Sequence, residues 1–265
     1  MVLTPVLSFA MATIDPNTQR LLDILMSPQG GSEESAQEVA RLLAAGADAK
    51  NLGPVATLKI TPLHMAVGKG STKIVKLLLP YYKDNINPRD IIGRTPLWDA
   101  VDNRALPGQE ELIKLLLNAG ADPRIPTYNG VLPIYIATDR ARNDAREKTN
   151  TKIAQVLKDY SDILPESILN PTPETLKKAI NIGAISLVKQ LLSQLSLTVD
   201  QLSSFGQDAQ ARFVKTGDPV YKEIALLFLE RLKKIHSLMG TTQEGRRSPV
   251  EIATSIINSP VPQNK

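Results

Sequence analysis

Internal repetition constrains this chain more than any single residue does. Thr61, Pro62, Leu63 and His64 open a unit, and Thr95, Pro96, Leu97 and Trp98 open another thirty-four positions later. Ser248, Pro249, Val250 and Glu251 echo the same start near the end. Thr61 suits a helix N-cap because its hydroxyl can accept from an otherwise unpaired backbone N–H, and Pro62 follows where a missing N–H does no harm. Leu63, Ala66 and Val67 fall on one helical face, and Gly70 closes the helix. A second helix carries Ile74, Val75, Leu78 and Leu79 as its apolar stripe. Two helices of about ten residues cannot bury that surface alone, so each unit must stack on its neighbours.

The second-helix leucine recurs at Leu43, Leu79, Leu117, Leu157, Leu192 and Leu229, at intervals of 36, 38, 40, 35 and 37 residues. VARLLAAGAD (Val39–Asp48) and LIKLLLNAGAD (Leu112–Asp122) end alike, with Gly46 and Gly120 as helix-closing glycines. The stretch Thr61–Leu79, TPLHMAVGKGSTKIVKLLL, closely resembles the ankyrin repeat. Weaker copies run from Leu132 to Tyr160 and from Leu176 to Leu192, where Glu174 takes the place of Thr61; Gln207–Leu232 is degenerate. The resemblance implies an all-α solenoid of helix-turn-helix units, about six repeats and a C-terminal half-repeat at Ser248–Asn258. Repeats one to four are expected over residues 16–160, degenerate repeats and a capping helix over 161–259, a leader over 1–15 and a tail over 260–265. The linker opening the fifth repeat is expected to hold LPESIL, Leu164–Leu169.

Composition removes several kinds of chemistry. With no cysteine, the chain has no disulfide, thiolate zinc site, iron–sulfur cluster or cysteine nucleophile. No apolar run reaches the roughly 18 residues that a membrane span needs. Net charge is +4, but the signs are mixed even in the densest run, Asp139–Lys152, which suits a solvated helical face better than a nucleic-acid site. His64 belongs to the repeat signature, with its ring expected on backbone of the neighbouring turn. His236, the only other histidine, is far off in sequence. No cofactor, no metal and no catalytic residue is expected. Trp98 and Tyr135 replace His64 in the next two units and read first as packing residues.

The resemblance also implies a binding face. In ankyrin proteins the partner usually meets the hairpin loops between repeats and the exposed side of each first helix. Carried onto this chain, the hairpin positions are Asn87, Arg89 and Arg94, then Arg124, Thr127 and Tyr128. The first-helix positions are Met65 and Lys69, then Trp98, Asp99, Asp102 and Asn103, then Ile136 and Asp139. Insertions at Ser27–Ser35, Arg104–Gln109 and within Asp139–Thr151 mark a second edge, opposite the hairpins. The function expected is a protein-interaction module, an adaptor or modulator, monomeric and acting in the cytoplasm. Stand-alone degenerate ankyrin proteins of this size also loosely resemble effectors that intracellular bacteria deliver into the host-cell cytoplasm. An enzyme with a site hidden in the divergent C-terminal half and a nucleic-acid-binding helical repeat are the alternatives.

Overall fold

The computed structural model describes residues 14–103, 108–143, 147–169 and 171–239. The expected half-repeat at Ser248–Asn258, the tail, most of the leader and part of the Arg104–Gln109 insertion lie outside these residues. Among the described residues the chain is all-α, without strands. The helices are α1 (Pro16–Met26), α2 (Glu33–Ala44), α3 (Pro62–Gly68), α4 (Thr72–Leu78), α5 (Pro96–Asp102), α6 (Gln109–Asn118), α7 (Pro133–Asn143), α8 (Glu147–Leu169), α9 (Pro173–Asn181), α10 (Ile185–Gln194), α11 (Val199–Thr216) and α12 (Pro219–Met239). Two 3-10 segments, Gly53–Leu58 and Leu79–Tyr82, complete the set. None of these helices is long and apolar enough to cross a membrane.

Side-chain capping sets where the helices begin. Asp15, Ser32, Thr61, Ser71, Thr95, Thr172 and Thr198 each accept a backbone N–H from the first turn of the helix that follows. Each such cap satisfies a donor that the helix leaves orphaned, and is worth about 1 kcal/mol. In the fifth unit the repeat alignment puts Glu174 at the cap, but the structure puts Thr172 there. Pro173 is then the first helical residue, so this helix starts two residues early. Thr172 and Thr175 form a reciprocal capping box that glutamate at 174 could not make.

The described chain packs as two compact units. One holds the residues up to Leu116 with Ile125–Asp139, and the other holds Leu117–Arg124 with the residues from Arg140 onward. In the first, Leu21, Leu25, Val39, Leu63, Val67, Ile74, Leu78, Leu97, Ile113 and Leu116 are buried from α1 to α6. Ala66 and Ala100 are fully buried where α3 meets α5, small enough to let these first helices approach closely. Gly30 lies inside the loop between α1 and α2, where a Cβ would clash with the Ile24 carbonyl oxygen.

The second unit departs further from the repeat. Helix α8 passes both Tyr160, where the sequence suggests an end, and Pro165, so LPESIL is helical rather than linker. Proline there cannot donate to the Ser161 carbonyl, a loss that helix interiors tolerate poorly. Beyond α10, the degenerate segment forms two long helices, α11 and α12, packed as an antiparallel pair around Phe205 and Phe228. Leu229, taken from spacing as a repeat leucine, is buried in that pair.

Candidate functional site

All the residues expected to bind except Arg124 lie in the first unit, whose hairpin turns carry Asn87, Arg89, Arg94, Thr127 and Tyr128. Between the second and third repeats, Asp90 N–H donates to Arg94 O at 3.0 Å and Gly93 N–H donates to Asp90 O at 3.0 Å. The Asp90 carboxylate lies inside the turn and accepts from Ile92 N (3.0 Å), Arg94 N (2.8 Å) and Arg94 Nε (2.8 Å). Gly93 has φ 87°, and a Cβ there would meet Tyr128 N at 2.7 Å. Glycine is thus required both by backbone sign and by the close approach of the next turn. That next turn is alike: Thr127 N–H donates to Val131 O, and Thr127 Oγ1 accepts from Val131 N at 3.2 Å. The earlier turn has Lys59, at φ 55°, where the others have Gly93 and Gly130.

Arg94 is the centre of a charged cluster. Its guanidinium bonds Asp90, stands 3.4 Å from Asp99 and lies over the Trp98 ring at 5.7 Å. Burial would push the Asp90 carboxyl up, but the side-chain and backbone hydrogen bonds from Arg94 outweigh it and hold the carboxyl low. Asp99 has no such bonds. Burial raises it to about 7, Arg94 pulls only partly against this, and Asp90 and Asp102 add repulsion. His64 is tied to the same cluster, with Nδ1 at the Thr61 cap and Nε2 3.2 Å from Arg94 O. Because the Thr61 N–H donates to Nδ1, the ring proton belongs on Nε2, donating to the Arg94 carbonyl. Burial lowers the imidazole to about 4, so it is neutral at pH 7. The ring does what the repeat signature suggested: it joins one repeat to the next turn.

Arg89, Arg94, Trp98, Asp99 and Tyr128 are therefore brought together in one unit. Arg89 donates to Gly93 O and Pro126 O and lies 4.4 Å above the Tyr128 ring, and Trp98 Nε1 donates to Val131 O at 3.2 Å. Met65, Lys69, Asn87, Asp102, Asn103 and Ile136 are half-buried, while Arg124 and Asp139 are exposed. Asn103 Nδ2 donates to Gly68 O, and Lys69 ends α3. Arg124 belongs to the other unit and forms a two-point pair with Asp122.

Two expectations need correction. Thr127 is buried with its hydroxyl engaged in the turn, so it shapes the loop and presents nothing to a partner. Tyr135, read as a packing residue, is 58% exposed on α7. The sequence reading also missed Leu58, Ile91 and Ile92, exposed apolar side chains at the turn tips. A signal was present: two β-branched residues between Asp90 and Gly93, in a turn, have no helical stripe to join.

A helix-turn-helix repeat protein is thus defined by its caps, its turns and its stacked first helices. Residues 31–127 match the family profile for three copies of the ankyrin repeat, and over that span the chain is an ankyrin-repeat protein. It is 35% identical over 79 residues to YahD of Escherichia coli, which is named as an ankyrin repeat protein; the match covers 29% of this chain and 39% of that one. An ankyrin repeat-containing protein of Schizosaccharomyces pombe is 34% identical over 98 residues, covering 36% of this chain and 40% of that one. A tyrosine-protein kinase of Hydra vulgaris is 31% identical over 147 residues, 54% of this chain and 18% of the kinase. The chain thus spans less than half the length of each of these relatives. Ankyrin repeats are generally protein–protein interaction modules and generally not enzymes.

Proposed function

We propose that this chain is a non-catalytic adaptor or modulator that binds a protein through the turns and first helices of repeats two to four. Residues 16–160 would hold repeats one to four, and residues 161–259 the degenerate repeats and a capping helix. The observation carrying this reading is the exposure of Tyr128 and Tyr135 in the first unit, which also holds the half-buried Trp98. Tyrosine joins a large contact area to a hydrogen-bonding tip at low conformational cost, and it is enriched where interfaces concentrate their affinity. Repeats of this kind can supply the roughly 800 Å² per side of an interface of standard size.

Cross-linking of the intact chain followed by mass spectrometry would identify the partner, and affinity measurement then tests the surface. Tyr128→Ala with Tyr135→Ala should weaken binding, while Arg142→Ala with Lys148→Ala, on the insertion edge, should not. The opposite result would move the working surface to that edge. Light scattering on the purified chain checks the monomeric state. Delivery into a host cell, suggested by the loose effector resemblance, is checked by a translocation-reporter fusion expressed in an intracellular bacterium.

A further inference from the structure

Consecutive turn tips in the first unit are joined backbone to backbone. Ile91 N–H donates to Leu58 O at 2.9 Å, and Tyr128 N–H donates to Ile92 O at 3.0 Å. The side chains at these joints are apolar and stand in water: Leu58 is 42% exposed, Ile91 53%, Ile92 49% and Tyr128 62%. Single exposed apolar residues are ordinary, but these fall on one line because the bonded backbones hold them there. Burying so little of their surface, they contribute little to the core.

The charge beside this row is positive. Lys59 follows Leu58 in the chain, is exposed, and among the described residues has no carboxylate partner. Arg89 directs its guanidinium at two carbonyls and the Tyr128 ring, none of which cancels its charge. The carboxylate next to it in sequence, Asp90, is turned inward and taken by Arg94. A row of aliphatic and aromatic side chains bordered by unneutralised cations is complementary to its chemical opposite.

We infer that the turn tips dock a short segment of a partner protein in which Leu, Ile or Phe residues are interleaved with Asp and Glu. The inference rests on the protein-binding reading above and narrows it to one edge and one partner chemistry. A lipid surface fits less well, because anionic membranes are held by clusters of about four to eight basic residues and two cations border this row. A nucleic acid would likewise call for a track of phosphate-binding cations.

The test uses the full chain to select from a library of short random peptides, followed by fluorescence polarisation with the enriched peptides. The expected peptides are acidic and contain aliphatic or aromatic residues. Ile91→Ser with Ile92→Ser should raise Kd by about tenfold or more, as loss of a central apolar contact does. Lys59→Gly should raise Kd severalfold at low salt, with the difference fading at high salt. Unchanged circular dichroism would confirm that the variants are folded. Enriched peptides that are neutral or basic, or an unchanged Kd in the isoleucine variant, would overturn the inference. So would tip-dependent retention on phosphatidylserine vesicles without peptide binding. If the peptides instead depend on Tyr135 and ignore the tips, the wider binding reading stands and this one falls. If no peptide is enriched, this inference falls, while the wider reading is decided by the cross-linking experiment.

Discussion

Removing the Arg94 side chain tests whether the third repeat's turn is held by its internal ion pair. The Asp90 carboxylate is 1% exposed and accepts three hydrogen bonds, two from backbone and one from Arg94 Nε. Arg94→Ala removes the charged donor and leaves the two backbone donors in place. A hydrogen bond to a charged group contributes about 1.5–3 kcal/mol, and breaking a buried pair costs about 3–5. With two donors remaining and Arg94 partly exposed, about 2 kcal/mol is expected. Asp90→Ala strips all three acceptor contacts, leaves two N–H groups unpaired inside the turn, and should cost about 3–4 kcal/mol. The double variant should lose about 1 kcal/mol less than the sum, because the two side chains share one bond. Trp98 is the only tryptophan, and Arg94 stands over its ring, so urea titration followed by its fluorescence reads this region directly. A loss below about 0.5 kcal/mol for Arg94→Ala, the range of an ordinary surface change, would refute the reasoning. So would strict additivity of the two substitutions.

Lys59→Gly should stabilise the chain by roughly 0.5–1 kcal/mol, because a left-handed residue with a Cβ is strained by about 1–2 kcal/mol and glycine returns only part of that through its freer unfolded chain; a lower melting temperature would show that the lysine side chain contributes more than its backbone strain costs. Leu116→Ala should cost about 2–5 kcal/mol in denaturant titration, since this leucine is fully buried. His64 and Asp99 should give opposite pH dependences. With its folded pKa lowered from 6.5 to about 4, His64 contributes stability that is present above pH 6.5 and lost as pH falls through about 4. With its folded pKa raised from 3.8 to about 7, Asp99 contributes stability that is present below 3.8 and lost as pH rises through about 7. Relative to the parent, His64→Asn should therefore look better at pH 4.5 than at pH 7.5, and Asp99→Asn better at pH 7.5 than at pH 4.5. Parallel midpoint-versus-pH curves for parent and variants would contradict this.

Much of the fold was legible because helix starts are local chemistry. Thr61 and Thr95 precede prolines, and both cap as their sequence suggests. The fifth repeat was misplaced by two residues because alignment followed Leu176 and Ala179, which set packing, whereas Thr172 sets the start. Helix α8 could not be read because Pro165 is a helix-breaking signal, and the helix nevertheless runs past it. For the site, the cations were visible as types but not as partners. Nothing in the string PRDIIGR says that Arg94 folds inward onto Asp90 while Ile91 and Ile92 turn outward.

Interchangeability is the usual virtue of a repeat array, and one side chain limits it here. In the second repeat Ser71 caps α4 with its own hydroxyl, but the aligned residue before α10 is Ala184, which has none. The first amide of α10, at Ile185, is met instead by Asn118 Oδ1 at 3.1 Å, and the same oxygen accepts from Tyr160 at 2.8 Å. Asn118 closes the second helix of the third repeat, so the fifth repeat borrows its cap from two units away, and the fourth, through Tyr160, is tied to the same atom. Asn118, Tyr160 and Ile185 thus form a bound set within the second unit. A graft or deletion that separates them would strip the Ile185 amide of its side-chain acceptor and leave it only the Gly183 carbonyl at 3.0 Å, whereas one that moves all three together would keep it.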